Sequence, residues 1–228
     1  MQNQDINARS EILIGKDKIE SLSSKKIAVI GCGGVGSIIP LVLAMSNIGN
    51  ILLIDQDKID ITNLNRQIAY NFEDIGEDKV YSLKEKVLKK RPNINVIALN
   101  KRIDFDFDFS VLNDCAFVID CIDDINAKVL LIKYCISEKI KVVSSLGMGF
   151  KLDPSLVKIV ALNKTTSDPL AKRLRYLLKK ENVDLSKVIV AFSSECNLCT
   201  NREVGSMAFV PNAAGLILAS YVLRELIN

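Results

Sequence analysis

The sequence predicts an α/β fold: a mainly parallel sheet with helices on both faces, plus extra antiparallel strands and a helix in the C-terminal part. Three observations predict it. Apolar runs of strand length alternate with segments whose apolar residues recur every three or four positions. The runs lack polar alternation, as strands covered on both faces require. Their alternation with helices favours right-handed strand–helix–strand units, which make parallel neighbours.

INARSEILIGKDKIESL (6–22) predicts a leading segment with a short helix before the first strand, KIAVIG (26–31). VGSIIPLVLAMSNIG (35–49) predicts a helix, with Pro40 near its first turn, where proline is tolerated. NILLID (50–55) is a strand, GEDKVYSLKEKVLKKR (76–91) a helix and INVIAL (94–99) a strand. AFVIDC (116–121) and IKVVSS (140–145) are strands that flank the helix DINAKVLLIKYCISEK (124–139). After residue 146 the rhythm changes. GMGFKLDPS (147–155) reads as a loop, VKIVAL (157–162) and SKVIVAFSS (186–194) as strands, and DPLAKRLRYLLKKE (168–181) as a helix starting near Asp168. PNAAGLILASYVLRELI (211–227) is an apolar helix. Without a repeat or linker, a single domain over 1–228 is expected, with a core at 6–150 and added elements at 151–228.

Composition narrows the chemistry. With 49% hydrophobic and 25% charged residues in 228, the chain is ordinary for a soluble globular protein. A net charge of +3 permits contact with a polyanion without requiring it. Six irregularly spaced cysteines do not form a secreted disulfide pattern, and the polar start lacks a signal core. No run approaches the roughly 18 uninterrupted apolar residues of a membrane span. A cytoplasmic protein is expected, away from membranes. There is no histidine, which excludes Ser-His-Asp hydrolases, Cys-His proteases and histidine metal sites.

The first strand runs into GCGGVG (31–36). Gly31 makes the turn tight, Gly33 or Gly34 lets a phosphate approach, and Gly36 brings helix and sheet together. Rossmann-like dinucleotide sites share this pattern, and share an acid matching Asp55, which ends the second strand and could hold a ribose hydroxyl. DQDKIDITNLNRQ (55–67), GEDK (76–79) and DCIDD (120–124) separate the readings. They bring Arg66 and Lys79 to one end of the sheet, with Asn63 and Gln67 as neutral donors and Asp57 beside Asp55. A guanidinium fork and an ammonium point charge suit a triphosphate. Asp123 and Asp124 lie just past a strand's carboxyl end, where Mg²⁺ on those phosphates would sit. Of the three acids, Asp120 reads as a strand end, Asp124 as a helix cap and Asp123 as the metal ligand. ATP is the expected nucleotide; an NAD-binding oxidoreductase is the competing reading from another class.

GCGGVGS, LIDQDKIDITNLNRQ, IGEDKV and DCIDD together resemble the ThiF/MoeB-type adenylating family, whose fold is shared with ubiquitin-activating enzymes. The resemblance implies ATP over the glycine loop, ribose on Asp55, phosphates on Asn63, Arg66 and Lys79, and Mg²⁺ supported by Asp123. It also implies a homodimer in which an arginine of the N-terminal segment reaches the partner's site. Arg9 is the candidate, in INAR where the family usually has Arg-aromatic-x-Arg. Such enzymes attack the α-phosphate of ATP with a substrate carboxylate, giving an acyl-adenylate and pyrophosphate. A carboxylate is already a nucleophile near neutral pH, so positioning and charge neutralisation remain the protein's tasks.

The second half selects a branch. Enzymes that adenylate sulfur-carrier proteins commonly carry two Cys-x-x-Cys pairs for zinc, whereas Cys196-x-x-Cys199 stands alone here and a closed site needs four ligands. Sulfur-carrier adenylyltransferase is therefore the alternative. Residues 144–180, FSSE (192–195) and 205–220 resemble the tRNA threonylcarbamoyladenosine dehydratase branch. That resemblance implies activation of the threonylcarbamoyl carboxylate at adenosine 37 of tRNA, then ring closure by the ureido group with net loss of water. The expected partner is tRNA, with a sulfur-transfer protein as a further candidate. The basic run at 172–180 reads either as a solvated face or as a tRNA phosphate contact.

Overall fold

A computed structural model describes residues 5–166, 168–199 and 203–228. Seven strands form one sheet: β1 (Lys26–Ile30), β2 (Asn50–Asp55), β3 (Asn95–Asn100), β4 (Phe117–Asp120), β5 (Val142–Ser145), β6 (Val157–Ala161) and β7 (Ile189–Ser193). Their spatial order is β3-β2-β1-β4-β5-β7-β6. All neighbours are parallel except β6, which runs antiparallel to β7. The helices are α1 (Ala8–Ile14), α2 (Lys16–Leu22), α3 (Ile39–Met45), α4 (Lys79–Lys90), α5 (Ile125–Ser137), α6 (Pro169–Lys180) and α7 (Phe209–Ile227).

The unbroken apolar runs are explained by burial on both faces. Ile27, Val29, Ile51, Leu53, Phe117 and Ile119 share a core with residues of α2, α3, α4 and α7. Ala28, Ile30, Leu52, Ile54 and Val118 point the other way, toward Ala127, Leu131 and Cys135 of α5. Strand side chains alternate with period two, so each strand feeds both layers. A third cluster joins Leu174 and Leu178 of α6 to Val190 and Phe192 of β7. By length and composition α7 could cross a membrane; here Val210, Ala214, Leu218 and Val222 are buried in the core.

Two helices differ from expectation. The segment 35–49 is helical only over Ile39–Met45. Pro40 has no amide hydrogen for the Gly36 carbonyl, so the preceding residues form turns, with Ser37 N–H on Gly33 O at 3.0 Å. Asn47, at φ 67, closes the far end. The leading segment holds two short helices, split at Gly15, whose φ is 89. The α6 start matches: Asp168 accepts from Ala171 N–H at 3.0 Å and Pro169 opens the helix.

Candidate active site

The chain passes from β1 to β2 on one side and returns to β4 on the other, so a crevice opens between the carboxyl ends of β1 and β4. Open α/β sheets bind ligands at such a reversal. A cleft of about 680 Å³ lies there, lined by Gly31, Gly33, Gly34, Asp55, Asp57, Asn63, Arg66, Gln67, Lys79 and Asp123. The expected nucleotide-site residues are thus gathered, with two exceptions. Gly36 lies behind the wall, where its lack of a side chain is required: a Cβ would fall 1.8 Å from Gly31 O. Arg9 is exposed on α1 and does not line this cleft.

The glycine loop is braced from several sides. Gly31 takes φ +90, and a Cβ there would meet Cys121 O at 2.6 Å. Cys32 N–H donates to Asp55 Oδ2 at 2.6 Å and Asp57 N–H donates to Asp55 Oδ1 at 2.7 Å. Burial raises the Asp55 carboxyl above its ordinary value, while these two amides pull it back. Tyr70, unremarked in the sequence, donates its hydroxyl to Cys32 O at 2.9 Å. Burial pushes the Cys32 thiol well up, so it stays protonated, a packed side chain rather than a nucleophile.

Each cation is held. Lys79 is 5% exposed, and its ammonium sits 2.8 Å from Asp57 Oδ2. Arg66 donates through Nη1 to Thr62 O at 2.8 Å and Asn65 Oδ1 at 2.9 Å, and its side chain passes beside Gly34. Asn212 of α7 fixes the Arg66 backbone through its Nδ2 on Arg66 O at 2.8 Å. Asn63 spends its Oδ1 on Asp60 N–H at 3.2 Å, closing a short 3₁₀ turn. Gln67 is buried beside Gly33, its Oε1 without a partner among the described residues.

Of the acids after β4, Asp120 and Asp124 take the strand-end and helix-cap places expected of them. Asp124 caps α5 through Asn126 and Ala127 N–H and pairs with Arg102 at 3.2 Å. Asp120 ends β4 in a fully buried ion pair with Lys128, at 2.7 Å. Asp123 is exposed at the cleft, and among the described residues its carboxylate joins no ion pair. A free carboxylate beside room for phosphates fits Mg²⁺, which is usually held by one or two carboxylates and phosphate oxygens. Among the described residues no three cysteine or acid side chains gather as a metal cage, and Cys196 and Cys199 are exposed free thiols.

Sequence reasoning missed Lys101 and Arg102, which also line the cleft. Their signal was available, since the pair directly follows β3 at the sheet's carboxyl edge. Lys128 was missed as well; its available signal is a charge set among the apolar residues Ala127, Leu131, Ile132 and Cys135, which the structure buries in α5.

Fold and cleft together define an α/β protein with a glycine-loop nucleotide site at its sheet edge. The chain belongs to the ThiF family, whose model matches residues 7–228. It is 36% identical over 244 residues to the tRNA threonylcarbamoyladenosine dehydratase of Bacillus subtilis, covering 97% of this chain and 94% of that protein. Escherichia coli TcdA, a tRNA N6-threonylcarbamoyladenosine dehydratase solved with AMP, matches with a TM-score of 0.91 at 30% identity over 96% of this chain and 93% of that one. The ATP complex of TcdA matches with a TM-score of 0.89 at the same identity and coverage. These likenesses favour the dehydratase branch over the sulfur-carrier one.

Proposed function

We propose that this chain is an ATP-dependent tRNA threonylcarbamoyladenosine dehydratase. The observation that carries the reading is one cleft in which the glycine loop, Asp55, Arg66, Lys79 and Asp123 converge, in a chain 36% identical to such an enzyme along nearly its whole length. On this reading residues 6–150 bind ATP and 151–228 form the substrate side of the same domain. Asp55 takes the ribose, Asp57 holds Lys79 ready, and Gly33, Gly34, Asn63, Arg66, Gln67 and Lys79 surround the phosphates. Asp123 would hold Mg²⁺, which supplies neutralisation of phosphate charge.

A threonylcarbamoyl carboxylate oxygen bonds to the α-phosphorus as the bond to the bridging oxygen breaks and pyrophosphate leaves. The ureido nitrogen then attacks the activated carbonyl, the bond to AMP breaks, and the ureido proton is released. Both nucleophiles come from the substrate, so the absence of histidine is no obstacle. Arg66 and Lys79 stabilise charge that builds on the phosphates, held in place by Asn65 and Asp57. We take the enzyme to be a cytoplasmic homodimer, with Arg9 reaching the neighbouring copy's cleft; a sulfur-transfer protein is a candidate partner.

The test is AMP release from ATP plus tRNA bearing threonylcarbamoyladenosine, with mass spectrometry of nucleoside 37 for loss of one water. Arg66→Ala and Asp123→Ala should each abolish both signals, as should chelation of divalent ions. Activity retained in both variants would overturn the site assignment. Pyrophosphate exchange driven by a Gly-Gly-tailed protein instead of tRNA would move the chain to the sulfur-carrier branch.

A further inference from the structure

The α6 helix is split along its length. Ala171, Leu174 and Leu178 are buried, whereas Lys172, Arg173, Tyr176, Lys179 and Lys180 are exposed. The exposed set recurs at i, i+1, i+4, i+7 and i+8, one stripe of a 3.6-residue helix. Among the described residues its charges join no ion pair. No acid occurs from Pro169 to Lys180, and Glu181, just beyond, is taken by Lys133 at 2.5 Å. The Lys180 ammonium sits 4.6 Å from the centroid of the exposed Tyr176 ring, which keeps it over the stripe. A helix face that only needs solvation is served by mixed charges, which support one another at i,i+4; a single-sign stripe repels itself and suits a polyanion.

Position points the same way. Leu170, in the first turn of α6, lines the nucleotide cleft, so the stripe starts at the cleft's rim and leads away from it. From Lys172 to Lys179 the helix advances about 10 Å, roughly the rise of three phosphates along one nucleic-acid strand. Resting on the dehydratase reading above, we infer that the outer face of α6 docks the substrate RNA. Lys172, Arg173, Lys179 and Lys180 hold backbone phosphates of the anticodon arm, and this delivers nucleotide 37 to the cleft.

The experiment measures affinity for tRNA bearing threonylcarbamoyladenosine against salt concentration. It uses the full chain, a variant with Glu at positions 172, 173, 179 and 180, and a second variant with Gln there. ATP affinity serves as the control for folding. Both variants should keep wild-type ATP affinity, bind tRNA at least ~10-fold more weakly at low salt, and show a log–log salt slope shallower by roughly 3. If the Glu variant loses ATP binding, the Gln variant decides. Wild-type affinity and slope in the Gln variant would overturn the docking face while leaving the dehydratase reading intact. A wild-type protein that neither binds this tRNA nor releases AMP with it would remove both.

Discussion

The Lys128 ammonium and the Asp120 carboxylate meet at 2.7 Å with both side chains wholly out of solvent. The other Asp120 oxygen accepts from Ile122 N–H at 3.0 Å, so the pair sets the turn that carries Asp123. Removing one partner strands a buried charge, a loss of ~3–5 kcal/mol. Lys128→Met should lower the unfolding free energy in urea by about that much. Adding Asp120→Asn, which removes the charge and keeps an acceptor, should restore a large part of it. A double variant no more stable than the single one would show that the unpaired charge is not the cause.

Glycines of the loop should separate folding from binding. Gly36→Ala forces a methyl to within 1.8 Å of Gly31 O, backbone that cannot step aside, and should destabilise the protein by ~3 kcal/mol or more. At Gly33 the nearest atom to a new Cβ is Gln67 Nε2 at 3.9 Å, an ordinary contact. Gly33→Ala should therefore melt like wild type yet bind ATP at least ~10-fold more weakly, because the methyl occupies the phosphate's approach. A melting curve and a nucleotide titration on each variant are sufficient to check this.

The Lys79 side chain is 7% exposed and that of Asp57 is 57% exposed, so the ammonium has little freedom apart from its carboxylate and the cleft. Lys79→Ala should lower kcat for AMP release by ~100-fold or more. Lys79→Arg should not restore it, since a planar fork cannot take the place of a buried point charge. Full activity in Lys79→Arg would show that charge alone suffices at this position.

Acid stability should report on Asp74. Burial works to raise its carboxyl, but hydrogen bonding to Lys86, Asn71 N–H and Ser82 outweighs burial and holds it below 3.8. A carboxylate depressed in the folded state stabilises at pH values above 3.8, and that contribution is lost as pH falls from there through the folded value. Asp74→Asn should thus be less stable than wild type by about 1–2 kcal/mol near neutrality. The two proteins should begin to converge as pH falls below 3.8 and coincide in chemical melts only below the folded value of Asp74. A gap that persists in acid would locate the effect in packing.

Much of the site was legible before the fold was known. Gly31, Asp55, Asn63, Arg66, Lys79 and Asp123 follow strand ends at spacings that a parallel sheet converts into one rim, so chain order sufficed to bring them together. The short α3 was legible in principle, because Pro40 cannot donate to Gly36. What was not legible was how each charge is held. Nothing in the local sequence joins Asn212 to the Arg66 carbonyl, 146 residues away, or sends Tyr70 to Cys32 O.

By itself, then, the sequence determined the α/β class, the order of the strands and main helices, the glycine-rich turn after β1 and the acid that faces it. These are encoded in periodicity and short spacings, which depend only on near neighbours along the chain. Tertiary structure alone decided that β7 lies between β5 and β6, that Lys101 and Arg102 join the cleft, that Lys79 rests on Asp57, and that α6 turns its basic stripe outward beside the site. Those outcomes depend on which surfaces meet once the sheet closes, and such long-range burial and pairing leave no local trace.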